Sequence, residues 1–212
     1  MIALVALLGT LGLSSIAAAQ DAKAGEKKAA MCIGCHGIPD YKASFPEIYR
    51  VPMLSGQSAK YIVAALAQYK KGDRKHPTMR GIAVSLSDQD MADLAAYYAD
   101  GTKAPAAPAA APANVPANVA ELLKKGNCAS CHGADYNSPI DPTYPKLAGQ
   151  HGDYLYAALR EYQVEKNPLV GRNNAIMVGM ARQFTHAEAK VLANYFAKLP
   201  GDLKTVTQSR FR

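Results

Sequence analysis

Two six-residue words decide how this chain folds: "CIGCHG" at Cys32–Gly37 and "CASCHG" at Cys128–Gly133. Together they contain all four cysteines of the 212-residue chain. The words begin 96 residues apart, and each places a histidine directly after two cysteines that are separated by two residues. The chain therefore meets one structural requirement twice.

The segments that follow the two words also recur. Three further blocks return in the same order: "PMLSGQ" at 52–57 as "PKLAGQ" at 145–150, "YIVAALAQY" at 61–69 as "YLYAALREY" at 154–162, and "LSDQDMADLAAYY" at 86–98 as "FTHAEAKVLANYF" at 184–196. The offset is 93 residues for the first two blocks and 98 for the third, a change that loop insertions would produce. The sequence therefore predicts two copies of one domain.

Two other segments set the domain boundaries. Residues 101–117, "GTKAPAAPAAAPANVPA", are rich in Ala and Pro, which interrupts helices and favours an extended linker. The N-terminal segment is apolar and ends in Ala17–Ala19, a pattern typical of a cleaved signal peptide, with an uncleaved membrane anchor as the alternative. The predicted organisation is a signal peptide at 1–20, a first domain at 21–103, a linker at 104–117 and a second domain at 118–212.

The residue patterns favour an all-α fold. Apolar side chains in Tyr61–Tyr69 recur at helical spacing. Ser87 and Thr185 are predicted N-caps, because Asp90 and Glu188 follow three residues later. Alternating strand patterns are absent from the sequence. Each domain is predicted to have about three or more helices, joined by long loops that enclose a group other than protein.

The cysteine words identify that group, because C-x-x-C-H is the attachment site of c-type haem. Two thiols at this spacing face the same way at the end of a helix and can form thioethers to the two haem vinyl groups. The histidine that follows is then carried beneath the porphyrin, where it can bind the iron. Two covalently bound haem c groups are therefore expected, on Cys32 and Cys35 with His36, and on Cys128 and Cys131 with His132.

Other uses of the words fit less well. A disulfide would not need the histidine. A redox-active dithiol usually lies in a βαβ setting, for which the sequence has no strands. A zinc site takes four ligands, whereas each domain offers two cysteines and few histidines.

The sixth iron ligand is predicted to be a methionine in each domain. Met79 and Met177 lie in matching segments before the last helix, which we expect to be loops, and they are 98 residues apart, as are the helices that follow. Met180 is a rival in the second domain, but its counterpart is an isoleucine. His76 is a rival in the first domain, but its counterpart is an asparagine.

Two further pairs of residues have weaker predicted roles. An iron-bound histidine normally donates its other ring N–H to a carbonyl, and Pro52 and Pro145 are the candidates for that acceptor. Arg74 and Arg172 each lie five residues before the predicted methionine ligand. They are either partners of a haem propionate or solvated surface residues.

With these features the chain resembles the bacterial diheme cytochromes c(4), which have two tandem class I cytochrome c domains. The resemblance covers nearly all of residues 21–200 and rests on the C-x-x-C-H words and the "LSDQDMADLAAYY"-like last helix. It implies two low-spin haems with one His and one Met ligand each. It also implies a periplasmic electron carrier, sometimes held at the inner membrane, that passes electrons toward terminal oxidases. In the second domain, Glu121 replaces the helical glycine that the first has as Gly25.

Electron transfer is the predicted function, because two six-coordinate irons leave no open site for a substrate. The alternatives are a haem enzyme, such as a diheme peroxidase or a sulfur-compound dehydrogenase, and a subunit of a larger oxidoreductase. The expected partners are redox proteins, with a quinol-oxidising complex as donor and a terminal oxidase as acceptor. The chain has a net charge of +7 but no runs of Lys and Arg. The lack of such runs argues against binding to nucleic acid, and the positive charge favours binding to an acidic protein or to an anionic membrane face. We expect a monomer that can associate peripherally with a membrane.

Overall fold

The computed structural model describes residues 20–99 and 111–207. In the first half the elements are α1 (Ala22–Lys28), α2 (Ala30–His36), β1 (Lys42–Ala43), β2 (Tyr49–Arg50), α3 (Ala59–Lys71), α4 (Pro77–Val84) and α5 (Asp88–Ala99). In the second half they are α6 (Ala117–Gly126), α7 (Ala129–His132), α8 (Gly152–Glu161), α9 (Ala175–Ala181) and α10 (His186–Lys198). Both halves are helical, as the all-α prediction required.

The N-caps of the last helices form as predicted. The Ser87 hydroxyl accepts from the backbone N–H of Asp90, and the Asp90 carboxylate accepts from the Ser87 backbone N–H at 3.0 Å. Thr185 and Glu188 make the same reciprocal pair at the start of α10. Each pair satisfies two backbone donors that the first turn leaves without partners, and so fixes where the helix begins.

The short helices α4 and α9 correct the expectation of loops before the last helix. The side chains of His76 and Asn174 cap these helices, and Pro77 at the first position of α4 has a backbone angle suited to a helix start. A cap supplied by histidine is uncommon, which is why the residue pattern suggested a loop. The hairpin of β1 and β2 was also not expected, because strands of two residues are too short to show an alternating pattern.

The first and last helices of each half cross in different ways. In the first half α1 packs closely on α5 at Gly25, where a side chain would overlap the backbone carbonyl of Asp93. In the second half Glu121 is exposed, and Lys125 of α6 instead forms a salt bridge of 3.1 Å with Glu188 of α10. The first helix therefore packs less closely on the last helix in the second half than in the first.

Each half has its own hydrophobic core beside its cysteine word. The buried members in the first half are Ala29, Ile62, Leu86, Met91, Leu94, Ala95 and Tyr98, with Cys32 packed against them. Those in the second half are Tyr136, Ala148, Leu155, Phe184, Ala189, Leu192, Ala193 and Phe196, with Cys128 packed against them. The two clusters support the prediction of two domains.

Reciprocal hydrogen bonds join the two halves. The buried side-chain amide of Gln57 accepts from the Lys146 backbone N–H at 3.0 Å and donates to the Lys146 carbonyl at 3.2 Å. The buried amide of Gln150 makes the equivalent pair with Met53, at 3.0 Å in both directions. Because each glutamine and its target are repeat counterparts of the other pair, the interface has a pseudo-twofold axis.

A backbone bridge lies on the same axis. Arg74 and Arg172 pair as an isolated antiparallel bridge. The N–H of Lys75 donates to Gly171 at 2.8 Å, and the N–H of Asn173 donates to Asp73 at 2.7 Å. The segment before α4 therefore runs beside the segment before α9. The two short helices that carry the predicted methionine ligands both begin shortly after this contact between the halves.

Several predicted boundaries lie outside the described residues. They include the signal peptide, except for Gln20, and positions 104–110 of the linker. The domain limits therefore remain predictions. Within the parts of the chain that the structure describes, no helix is both long and apolar enough to cross a membrane.

Candidate haem-binding sites

Both cysteine words lie on or at the start of short helices. Cys32 and Cys35 lie in α2, and Cys131 lies in α7, for which Cys128 is the N-cap. Residues three apart on a helix share a face, so the two thiols of each word point to the same side. All four thiols are half-buried and free of disulfide bonds.

The thiol environments disfavour a redox-active dithiol. Burial raises the pKa of Cys32, and it raises the pKa of Cys128 to about 11. A redox-active C-x-x-C motif has the opposite shift, because it needs a stabilised thiolate. Protonated thiols packed against a core are suited to permanent attachment of an apolar group.

The histidine of each word is held by a proline carbonyl, as predicted. Nδ1 of His36 lies 2.8 Å from the carbonyl oxygen of Pro52, and Nδ1 of His132 lies 2.9 Å from that of Pro145. Burial lowers the pKa of both imidazoles, and the proline hydrogen bonds oppose this shift only in part. A neutral ring that donates from Nδ1 has its lone pair on Nε2, which is the form that binds a metal.

The two methionines occupy the same position in their helices. Met79 is the third residue of α4, and its backbone N–H donates to Nδ1 of His76 at 3.3 Å. Met177 is the third residue of α9, and its N–H donates to Oδ1 of Asn174 at 3.0 Å. His76 and Asn174 are therefore matching caps. Both side chains accept a hydrogen bond from the methionine N–H, which explains why one copy of the repeat can have histidine and the other asparagine at this position.

Met180 has a different setting from Met177. Its side chain is exposed, and its sulfur lies 3.7 Å from the amide nitrogen of Gln183. Met177 is half-buried in register with Met79. The geometry thus favours Met177 over Met180, as the repeat does.

The positions of the two arginines show that one of the two interpretations based on the sequence was wrong. Arg74 and Arg172 are not solvated surface residues: they are 5% and 7% exposed, at the interface between the halves. Each guanidinium lies over two tyrosine rings. The sequence did not predict their burial, because a repeat does not show which faces of its two copies meet.

The interface glutamines were also not identified from the sequence, although both lie in a repeated block. Each follows a glycine in the left-handed region, Gly56 with φ of 92° and Gly149 with φ of 76°. This backbone turn, which favours glycine, precedes the glutamine that pairs with the opposite half. The recurrence of Gly-Gln was the available signal.

These residues fit a covalently held haem in each half. Such a group needs two thiols on one side of a short helix, together with a neutral imidazole whose Nε2 is free. Each word supplies both, and the imidazole is held in the required tautomer by its proline carbonyl. The methionine of the short helix that follows the interface bridge would offer a thioether to the iron.

Comparisons with known proteins agree with this description. The sequence pattern of the Cytochrome c family matches residues 22–101 and again residues 116–200. Cytochrome c4 of Azotobacter vinelandii is 34% identical over 93% of this chain and 98% of its own length. The structure of reduced recombinant cytochrome c4 from Pseudomonas stutzeri aligns with a TM-score of 0.60 at 27% identity, over 86% of this chain and all of that one.

A relative with a more specific name also matches. The thiosulfate dehydrogenase electron acceptor of Stutzerimonas stutzeri is 31% identical over 82% of each chain.

Proposed function

The chain belongs to the cytochrome c family, in the tandem diheme form of the cytochromes c4, and we propose that it is a periplasmic electron carrier whose axial iron ligands are His36, Met79, His132 and Met177. The observation that carries this proposal is the matched contact of His36 with Pro52 and of His132 with Pro145. It holds both imidazoles ready to bind iron through Nε2. The cofactors are two haem c groups, held through Cys32 and Cys35 and through Cys128 and Cys131.

The roles of the protein groups follow from their chemistry. Haem c, when bound, supplies a one-electron Fe(III)/Fe(II) couple. The neutral imidazole of each word and the matched methionine thioether would hold the iron, and an iron bound by both would have no place for a substrate. A thioether ligand raises the reduction potential relative to histidine, which suits a donor to an oxidase. This arrangement supports electron transfer over peroxidase or dehydrogenase chemistry.

The proposed location and partners rest on sequence features. The pattern ending at Ala17–Ala19 supports export to the periplasm, where haem is attached. A net charge of +7 supports docking on acidic surfaces of redox proteins and weak peripheral contact with an anionic membrane. We propose a quinol-oxidising complex as the donor and a terminal oxidase as the acceptor, with the carrier acting as a monomer.

Oxidation by an oxidase tests this function. The purified protein is reduced and mixed with membranes that contain a cytochrome c oxidase, and its α-band absorbance is followed. We expect both haems to be oxidised in a cyanide-sensitive reaction, without turnover of hydrogen peroxide by the protein alone. A protein that is not oxidised by such membranes, or that consumes peroxide catalytically, would contradict the proposal.

A second candidate function is favoured by one relative. The thiosulfate dehydrogenase electron acceptor of Stutzerimonas stutzeri suggests that this chain could instead take electrons from thiosulfate oxidation. Joining two thiosulfate ions through a new S–S bond releases two electrons, one for each haem. The test adds thiosulfate and a thiosulfate dehydrogenase to the oxidised protein. Rapid reduction of both haems supports this donor, and no reduction excludes that enzyme as the donor.

A further inference from the structure

The first residue that the structure describes lies directly ahead of the first helix. Gln20 is exposed and belongs to no helix or strand, and Asp21 is the N-cap of α1. The Asp21 carboxylate accepts from the backbone N–H groups of Lys23 and Ala24 at 2.8 and 3.1 Å. These hydrogen bonds satisfy donors that the first turn leaves without partners, so α1 depends on Asp21 for its start.

Asp21 is also bound to the last helix of the first half. Its backbone N–H donates to Oδ1 of Asp93 in α5 at 3.1 Å. Asp93 is only 3% exposed, and its carboxylate also accepts from Nζ of Lys28 at 2.6 Å and from the side-chain amide of Gln89 at 2.7 Å. Loss of Asp21 would therefore remove the cap of α1 and, at the same time, one donor from a buried carboxylate.

The second half begins differently. Its first helix, α6, has Pro116 as the N-cap, and a proline side chain has no group that can make a cap bond. Val191 holds the position of Asp93 in the repeat and has no side-chain acceptor. The second half follows a linker within the chain, whereas the first half follows the predicted signal peptide. The attachment through Asp21 thus belongs to the copy whose first helix would come directly after a free chain end.

The predicted cleavage site lies at this same point. In an A-x-A pattern the bond that is cut follows the last alanine, which here is Ala19. This cut lies one residue before the predicted start of the first domain at residue 21, and it leaves Gln20 as the new N-terminal residue. A single residue then separates the free end from the cap of α1.

An N-terminal glutamine can form a ring with its own amine. The α-amino nitrogen attacks the carbon of the side-chain amide, and a new C–N bond forms while the bond to the side-chain nitrogen breaks. That nitrogen leaves as ammonia with the proton that the amine gives up, so no oxidant or second reactant is needed. The nucleophile is the unprotonated amine, which is present near neutral pH because an α-amino group is less basic than a lysine side chain. The exposed position of Gln20 gives its side chain room to reach the amine.

We propose that Gln20 becomes the N-terminal residue of the exported protein and is converted to pyroglutamate, a neutral cyclic lactam. An aminopeptidase needs a free amine on its substrate, and the lactam has none. The ring therefore protects the next residue, Asp21, and with it the start of α1. The inference rests on the proposed function, because it requires export and removal of residues 1–19.

Mass and N-terminal sequencing of the exported protein test the inference. Cells that express the full chain with the haem-attachment machinery are cooled and mildly acidified, which protonates the amine and slows ring closure during isolation. The periplasmic protein, with both haems attached, should be lighter by one ammonia than a chain that begins with an open Gln20. Stepwise degradation from the N-terminus should give no sequence. Treatment with a pyroglutamyl peptidase should then release a sequence that begins at Asp21.

Gln20→Ala is the matched control, because alanine has no side-chain amide and the predicted cut still follows Ala19. This variant should have an open N-terminus, and an aminopeptidase should shorten it past Asp21 while the parent stays intact. An open amine on Gln20, a chain that begins at any other residue, or resistance of both proteins to the aminopeptidase would overturn this inference alone. Absence of the haem protein from the periplasm would overturn the proposed function instead.

Discussion

Arg50 and Asp153, which are 103 residues apart, form a salt bridge between the two halves. The Asp153 carboxylate accepts from the Arg50 backbone N–H at 3.0 Å and from Nε at 3.1 and 3.2 Å. Burial alone would raise the pKa of Asp153, but the hydrogen bonds and charge of Arg50 outweigh it and lower the pKa. A carboxyl group whose pKa is lowered by folding stabilises the folded state above its unfolded pKa, and that contribution is lost as the pH falls.

Asp153→Asn should therefore reduce the free energy of unfolding by about 1 kcal/mol near pH 7, a figure discounted because both side chains are about one-third exposed. The difference between variant and parent should begin to shrink as the pH falls below about 3.9, the ordinary pKa of Asp, and should disappear below the lowered pKa of the folded state. Denaturant unfolding at a series of pH values measures it. Asp40→Asn is the matched control, because Asp40 contacts Arg50 from the same half and is 74% exposed. An equal effect of Asp40→Asn would contradict a specific role for Asp153.

The interface glutamines give a second prediction. Gln57→Ala or Gln150→Ala leaves a backbone N–H and a carbonyl of the opposite half without partners, at a cost of about 1–3 kcal/mol. We expect the halves to separate, which small-angle X-ray scattering would detect as a larger radius of gyration. The control is Gln163→Ala, whose amide donates to Ala181 and Phe184 within the second half. Gln163→Ala should lower the free energy of unfolding without changing the radius of gyration. A larger radius in this control would show that separation of the halves is not specific to loss of the interface glutamines.

The iron ligand of the second half is tested by two methionine variants. Met177→Ala should remove about half of the weak ferric charge-transfer band that a thioether ligand produces, because two haems contribute to it, and should lower one of the two potentials. Met180→Ala should leave the band intact, since that sulfur lies beside Gln183 on an exposed surface. The reverse result would transfer the ligand to Met180 and invalidate the repeat register on which Met79 also depends.

His76 provides a test of the first half. Its ring caps α4, so replacement by the residue of the matching position should be tolerated. His76→Asn should keep both haems and the full charge-transfer band. His76→Ala should keep them too but cost about 1 kcal/mol in the free energy of unfolding, as loss of an N-cap does. A band that is stronger in His76→Asn than in the parent would show that the histidine binds iron in place of Met79, because only a thioether ligand produces the band.

Covalent attachment is tested by mass. The intact protein should carry two haem additions, and acid–acetone extraction should remove neither. Replacing both Cys128 and Cys131 by alanine should leave one addition, on the first half. Extractable haem in the unmodified protein would be incompatible with thioether bonds at both words.

Local chemistry explains which features could be predicted from sequence. The proline acceptors and the caps at Ser87 and Thr185 depend on residues close together along the chain, and each was confirmed. The buried positions of Arg74 and Arg172 depend on which faces of two similar domains meet. Hydrophobic periodicity carries no information about that choice, because the arginines enter the interface through polar and aromatic contacts.

The short helices α4 and α9 show a different limit. A helix of seven or eight residues is marginal by itself and forms here through its cap and its packing. The sequence of each short helix resembled a loop, because only its capping side chain indicated a helix start. The positions of Met79 and Met177 relative to the last helix were nevertheless anticipated, since the repeat preserved their spacing.

The way Gln57 and Gln150 join the halves has a consequence for how a duplicated protein diverges. Each amide recognises only main-chain atoms, and the two recognised residues, Met53 and Lys146, differ in size and charge. Substitutions at those positions leave the bonds in place. Two copies joined in this way can accumulate different side chains without coming apart, so that specialisation of one copy does not require compensation in the other.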